Sequence, residues 1–320
     1  MPQFDVTIAG ELHLDLILYG LPAELPPERE LLASDMTVSL GGSSAIVAHN
    51  LAMLGARVGF ISRVGDDSMG QIALERMAAS GADVSRVQRS TDGIATGMSV
   101  ILGRDTWRNI VTYLGTISRV GFEDLDFDYL ASSRHFHLSS FYLQSTLQAR
   151  VPEVLRRLKE AGLTISMDTN DDPEDRWQGG LREALRYVDV FLPNEREASR
   201  ITGAEDLEEA ARLLAEIVPL VVVKRGASGA MARRGTERFQ ASPVRVNPID
   251  AVGAGDSFDA GFISQYIQGA DVESCLAYGN LSGALSTTRR GGTEAFRNRE
   301  HRERFFRDNS VTPAGSARGL

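Results

Sequence analysis

The residues best suited to chemistry lie in one stretch, Asp250-Ala251-Val252-Gly253-Ala254-Gly255-Asp256-Ser257-Phe258, which runs into the helix-like segment Asp259 to Gln268. Three small residues followed by an acid at a helix start make a compact anion site with a base beside it. Small side chains let backbone amides approach a phosphate, and the unpaired N–H groups of a first helical turn point at it. An acid in that place can equally be an N-terminal charge that suits the helix dipole. The stretch alone leaves both readings open, and the elements around it have to decide.

Those elements alternate. Phe4 to Gly10 reads as a first strand, with Asp15 following it. Gly41-Gly42-Ser43-Ser44 precedes a helix that Ser43 or Ser44 could cap and Gly55 stops. Val58 to Ser62 is the next strand, and Gly65-Asp66-Asp67 turns into a helix from about Met69 to Ala79. From residue 134 the strand candidates are His135–Ser139, Leu163–Met167, Val188–Leu192 and Leu220–Val223, with helices such as Leu147–Ala161 and Leu207–Ile217 between them. A further helix is expected over Tyr278–Arg290.

This alternation predicts an α/β fold, a doubly wound and mostly parallel sheet with helices on both faces. Ligands of such sheets sit beyond the carboxyl ends of the strands. Asp168 and Asn170 fall at one such end, Asn194 and Glu197 at another, and Lys224 and Arg225 at a third. Two segments leave this pattern. Leu21–Leu40 carries Pro22, Pro26 and Pro27, and the β-rich runs 93–102 and 107–114 flank the hairpin signal Gly103-Arg104-Asp105-Thr106. Together they predict a small β lid, with segments at about 11–40 and 93–115, on one domain spanning 1–310. A flexible tail over 311–320 follows.

The chain has 320 residues, 42% of them hydrophobic and 24% charged, an ordinary globular composition. Its formal charge of −9 argues against a nucleic-acid backbone as partner. A single cysteine, Cys275, rules out an intrachain disulfide and multi-cysteine metal clusters. Met1-Pro2-Gln3-Phe4-Asp5 lacks the basic and apolar regions of a signal peptide, and no apolar run reaches membrane-spanning length, which predicts a cytoplasmic protein without membrane contact. Gly-x-x-x-x-Gly-Lys-Ser/Thr is absent, and Gly10 lacks the companions of a dinucleotide fingerprint. His135 and His137 alternate within a strand and form no metal-binding spacing. Gly226 and Gly229 could be a bare turn or a backbone nest for a nucleotide.

In order along the chain, Gly41-Gly42, Gly65-Asp66-Asp67, Asn194-Glu195-Arg196-Glu197, Lys224 to Gly229 and Asp250 to Asp256 resemble the ribokinase-like sugar kinases, also called the PfkB family. The resemblance runs from about Asp5 to about Phe296. It implies a kinase that uses ATP and Mg²⁺ on an alcohol of a small carbohydrate or related metabolite. Asp256 matches the family's catalytic base, and the amides of Gly253, Ala254 and Gly255 match its anion hole. Asn194 and Glu197 match the Asn-x-x-Glu motif associated with phosphate and Mg²⁺ placement, with Glu197 acting through water. Lys224, Gly226 and Gly229 match the nucleotide loop, and Asn280 falls where the family places a residue beside the adenine. Asp15, Gly41 and Gly42 match acceptor-binding positions, while Asp168 and Asn170 lie at a strand end used by some sugar kinases.

Two departures stand out. Ala251-Val252 replaces the two threonines of the common motif, which leaves the ordering of that loop and any monovalent-cation site open. Ile46 stands where many relatives carry Asn. Arg104, Arg108 and Tyr113 of the lid hairpin could meet a polar acceptor or simply be exposed, and a homodimer through the lid edges is an expectation of the same kind. The acceptor classes left open are hexose, pentose, sugar acid and nucleoside. A non-catalytic sugar- or nucleotide-binding regulatory protein on the same fold is the rival from another class, and a nicotinamide-dependent oxidoreductase is a weaker one.

Overall fold

The computed structural model describes residues 2–104 and 107–309. The expected tail over 311–320, the hairpin tip at Asp105-Thr106 and the side chain of Arg104 lie outside the described residues. The strands in chain order are β1 (Val6–Ala9), β2 (His13–Tyr19), β3 (Asp35–Gly41), β4 (Val58–Gly65), β5 (Asp83–Ser90), β6 (Met98–Arg104) and β7 (Trp107–Tyr113). They continue with β8 (His135–Leu138), β9 (Thr164–Met167), β10 (Val190–Phe191), β11 (Leu220–Lys224), β12 (Ala230–Arg234) and β13 (Glu237–Ala241).

The large sheet has the order β13-β12-β11-β10-β9-β8-β1-β4-β5. All pairs from β11 to β5 are parallel, and only β12 and β13 run antiparallel to their neighbours. The chain leaves β1 toward β4 and β5 on one side and returns to β8, β9, β10 and β11 on the other. This reversal beside β1 is the topological switch point at which α/β sheets open a crevice.

Alternate side chains along one strand serve different layers. Phe191, Val221 and Val223 pack with Val154, Leu155 and Leu158 of the Val151–Glu160 helix. Val190, Leu220 and Val222 face the opposite way, onto Phe258 and Phe262 of the Ala254–Tyr266 helix and Leu276 of the Val272–Thr287 helix. Two-sided burial explains why these strands are continuous apolar runs. Each fully buried Phe of this core contributes about 1.5–3 kcal/mol. The expected Leu147–Ala161 helix is divided into Ser145–Gln148 and Val151–Glu160. Pro152 has no N–H to continue an existing helix but suits the first turn of a new one.

β3-β2-β6-β7 form the smaller sheet, in which β2 runs parallel to β6. Of the expected excursion Leu21–Leu40, the end forms lid strand β3, and the Pro-rich part lies in the connection between β2 and β3. The polar edge strand β5 was also not foreseen. Two expected boundaries shift. Gly42 rather than Ser43 or Ser44 is the N-cap of the Ser43–Met53 helix, and the helix expected from Tyr278 starts at Val272, capped by Asp271. His135 and His137 are both buried and share the Ser166 hydroxyl at 2.7 and 2.8 Å, so β8 and β9 are joined by side chains as well as by backbone. Burial pushes both imidazoles down to about 3 and keeps them neutral. Among the described residues no helix is long and apolar enough to cross a membrane.

Candidate active site

The helix expected from Asp259 begins five residues earlier, at Ala254, with Gly253 as its N-cap in the left-handed region at φ 69°. That start places Gly255 and Asp256 in the first turn. Among the described residues the backbone N–H groups of Gly255 and Asp256 have no acceptor, whereas Ala254 N–H donates to Ala251 O at 3.3 Å. Of the three expected anion-hole amides, the one on Ala254 is therefore engaged.

The carboxyl edge of the parallel sheet closes around this turn. Lys224, the last residue of β11, donates to Asp168 Oδ2 after β9 at 2.5 Å and to Asp259, one helical turn beyond Asp256, at 3.1 Å. Asp168, Asp256 and Asp259 each bring an oxygen within 4.8 Å of the others. Asn170 bridges the cluster. Its amide donates to Asp256 Oδ1 at 3.3 Å and to Asp168 Oδ2 at 3.4 Å, and its carbonyl accepts from Ser140 N–H at 2.8 Å. Asp168 and Asn170, expected at the acceptor, here organise the charges around Asp256.

Burial sets the protonation of these groups. Asp256 is 8% exposed. Desolvation and then the nearby Asp168 push its carboxyl up to about 6, against the pull of Lys224. Asp259 is pushed well above the usual carboxylate range by burial and by Asp168. Burial is the largest influence on Asp168 and raises it, yet the Lys224 ammonium and the hydrogen bonds from Asp259, Lys224 and the Asn170 backbone together hold it below that range. Burial opposes the charge on Lys224, but Asp168, Asp259 and Glu197 together hold its pKa above the ordinary lysine value.

Asn194 and Glu197 form a capping box at the start of the Glu195–Thr202 helix. Asn194 accepts from Glu197 N–H at 2.9 Å, while Glu197 accepts from the Asn194 backbone at 2.8 Å and from its side-chain amide at 2.5 Å. Burial and the repulsion of Asp168 raise Glu197 to about 8. Gly229, which closes the turn Gly226–Ser228, lies against the end of β13, and Asn280 donates to the carbonyls of Ala241 and Ser242 at 3.1 and 3.0 Å. Gly226, Gly229 and Asn280 are thus gathered on one wall, with the Asn280 amide spent on backbone.

The lid supplies the opposite wall. Asp15 on β2 is paired across the sheet with Ser39 on β3 and Ser99 on β6. A Cβ at Gly41 would lie 2.2 Å from Asp15 Oδ1, so only glycine lets the strand pass that carboxylate. His13 stands 3.4 Å from Asp15, with its Nδ1 buried and without a partner among the described residues. Arg108 and Tyr113 are exposed. Ile46 packs against Gly253 and Gly292 at the helix start.

Three residues escaped the sequence reading. Asp259 carried one usable signal, its i+3 spacing from Asp256, which puts both carboxylates on one helix face. Glu11 accepts from Ser44 N–H, Ser44 Oγ and Ser140 Oγ at 3.1, 2.8 and 2.7 Å, binding the ends of β1 and β8 to the start of the Ser43–Met53 helix. Asn50 donates to Ser257 Oγ and Gly292 O at 3.0 and 3.1 Å. Neither had a motif to mark it.

A mostly parallel sheet with helices on both faces, a smaller β lid and a carboxylate in the first helical turn at the crevice define the ribokinase-like class of α/β proteins. Comparison with known proteins agrees: the model of the pfkB family of carbohydrate kinases matches residues 3–299, and the chain belongs to that family. It is 32% identical to the ATP-dependent ribose-1-phosphate kinase of Halopiger xanaduensis, over 91% of this chain and 94% of that one. The cytidine kinase of Thermococcus kodakarensis is 30% identical, with 87% and 94% covered. A candidate Ribokinase II of E. coli, solved in complex with ATP and Mg²⁺, superposes with a TM-score of 0.83 at 27% identity, covering 95% of this chain and 99% of that one.

Proposed function

We propose that this chain transfers the γ-phosphoryl group of ATP to a hydroxyl of a small carbohydrate or nucleoside, with Asp256 as the general base. The observation that carries the reading is the placement of a buried carboxyl, raised to about 6, in the same helical turn as the free N–H groups of Gly255 and Asp256. A base poised near neutrality takes the hydroxyl proton effectively. The hydroxyl oxygen forms the new bond to the γ-phosphorus, the bond from that phosphorus to the bridging oxygen breaks, and ADP leaves with the electron pair. First-turn amides and Lys224 are suited to hold the charge on the phosphoryl oxygens.

The oxygen-rich donor set fits Mg²⁺. Asp168, Asp256, Asp259 and Glu197 gather four carboxyl groups around one lysine, and a hard cation that keeps its waters suits such a wall. Asn194 and Glu197 would hold it through water, and when bound it would neutralise charge on the phosphates. Gly226, Gly229 and Asn280 are assigned to the nucleotide side, and Asp15, Gly41 and Gly42 to the acceptor. Relatives that act on ribose 1-phosphate and on cytidine support both a sugar and a nucleoside acceptor.

Purified protein with ATP and Mg²⁺ should phosphorylate at least one member of a panel of pentoses, hexoses, sugar acids, sugar phosphates and nucleosides, read as ADP release that depends on the acceptor. Nucleotide binding without transfer to any member would favour the regulatory reading instead. The unpaired edge of β7, with Ile110, Val111 and Tyr113 exposed, supports a homodimer through the lid. Sedimentation at micromolar concentration should give twice the monomer mass, and a monomer would dismiss that assembly.

A further inference from the structure

We propose that Asp259 is a positioning residue that fixes the direction in which the Lys224 ammonium points, an inference that rests on the phosphotransfer reading above. An ammonium has three N–H donors. Asp168 Oδ2 accepts at 2.5 Å, and both carboxylate oxygens of Asp259 accept, at 3.1 and 3.2 Å, with no other side chain bonded to the ammonium among the described residues. The ammonium nitrogen lies 3.6 Å from where a Cβ on Gly255 would stand, so it flanks the turn whose N–H groups are free. Asp168 and Asp259 approach from the β9 end and from the helix, and two carboxylates held on separate elements set the direction in which the ammonium points. With that direction set, Lys224 meets the transferred phosphoryl as a preorganised donor rather than as a flexible charge.

Asp259 itself is 0% exposed, sits one turn beyond the base on the same helix face, and has no route to the acceptor except through Lys224 and Asp168. An oxygen acceptor is what the role needs, whether the carboxyl is ionised or not. Asparagine should therefore preserve it, and alanine should not.

The test compares Asp259→Ala, Asp259→Asn, Lys224→Met and the Asp259→Ala/Lys224→Met double variant. Two readouts are used: acceptor turnover, and the ratio of the dissociation constants for ADP and a non-hydrolysable ATP analogue, measured by calorimetry. The wild-type protein should prefer the analogue. Asp259→Ala should lower kcat about 10- to 100-fold, leave the acceptor KM within about twofold and erase the preference, since one misdirected charged donor at a transition state is worth that much. Asp259→Asn should recover most of both, and Asp259→Ala should cost nothing further once Lys224 is methionine.

Full kcat and full preference in Asp259→Ala would overturn the proposal. So would losses that multiply in the double variant, because Asp259 would then act independently of Lys224. If Asp259→Ala does not fold, the asparagine variant decides. Loss of the preference in that folded protein would overturn the positioning role. A wild-type protein that binds neither nucleotide would refute the kinase reading itself.

Discussion

Tyr19, at the end of the lid strand β2, donates its hydroxyl to Asp250 at 2.8 Å, and Asp250 in turn accepts from Val252 N–H and Gly291 N–H at 2.9 Å each. One carboxylate thus ties the lid to the loop that leads into the catalytic helix. Burial and Asp250 raise the Tyr19 phenol well above its ordinary value, so it stays a donor across the physiological range. Tyr19→Phe removes a bond to a charged acceptor, worth about 1.5 kcal/mol. Steady-state kinetics should show kcat lowered about tenfold, with a smaller change in the KM for ATP.

The same contact accounts for the residue that replaces a threonine in the common motif. Val252 is buried against Ile17 and Ile101 of the lid. Val252→Thr would put a hydroxyl into that apolar contact, and denaturant unfolding should show a loss of about 1–3 kcal/mol.

Asp256→Asn should reduce turnover by about 10²–10⁴-fold, the usual contribution of a positioned base. Nucleotide affinity should change little, which calorimetry checks.

The pH dependence has two opposite signs. A base must be ionised, so kcat/KM for the acceptor should be full above about pH 6 and fall as pH drops through that value. Stability runs the other way. The folded carboxyl holds its proton up to about 6 against 3.8 for the free group, so the folded state is penalised as pH rises from 3.8 to 6. Asp256→Asn should accordingly melt higher than wild type at pH 8, with the gap narrowing toward pH 4, as thermal denaturation would show.

Gly229 sits at φ 84°, and a Cβ there would meet Ala241 O at 2.2 Å. Gly229→Ala combines about 1–2 kcal/mol of left-handed strain with that clash. It should weaken nucleotide binding more than acceptor binding, which separate KM determinations distinguish.

The large sheet was legible because β10 and β11 are short apolar runs buried on both sides, β8 and β9 alternate polar and apolar residues, and polar groups follow the strand ends. β2 was not, because His13 and Asp15 are charged or polar residues turned into a site rather than toward solvent, and a pattern reading assigns such residues to loops. β5 failed for the opposite reason: Asp83-Val-Ser-Arg-Val-Gln-Arg-Ser90 is an edge strand whose polar residues suit solvent as well as a ladder. The base and its turn were readable as a local motif. The Lys224 network was not, since its members are joined by the strand order β9-β10-β11 and not by spacing along the chain.

The parallel pairing of β2 with β6 sets Leu14 opposite Met98, and β4 and β5 of the large sheet are built from the chain that lies between them. Closing so distant a pair costs chain entropy before any contact rewards it. The lid therefore rests on a long-range pairing between two chain segments separated by part of the large sheet, and Asp15 is carried on it.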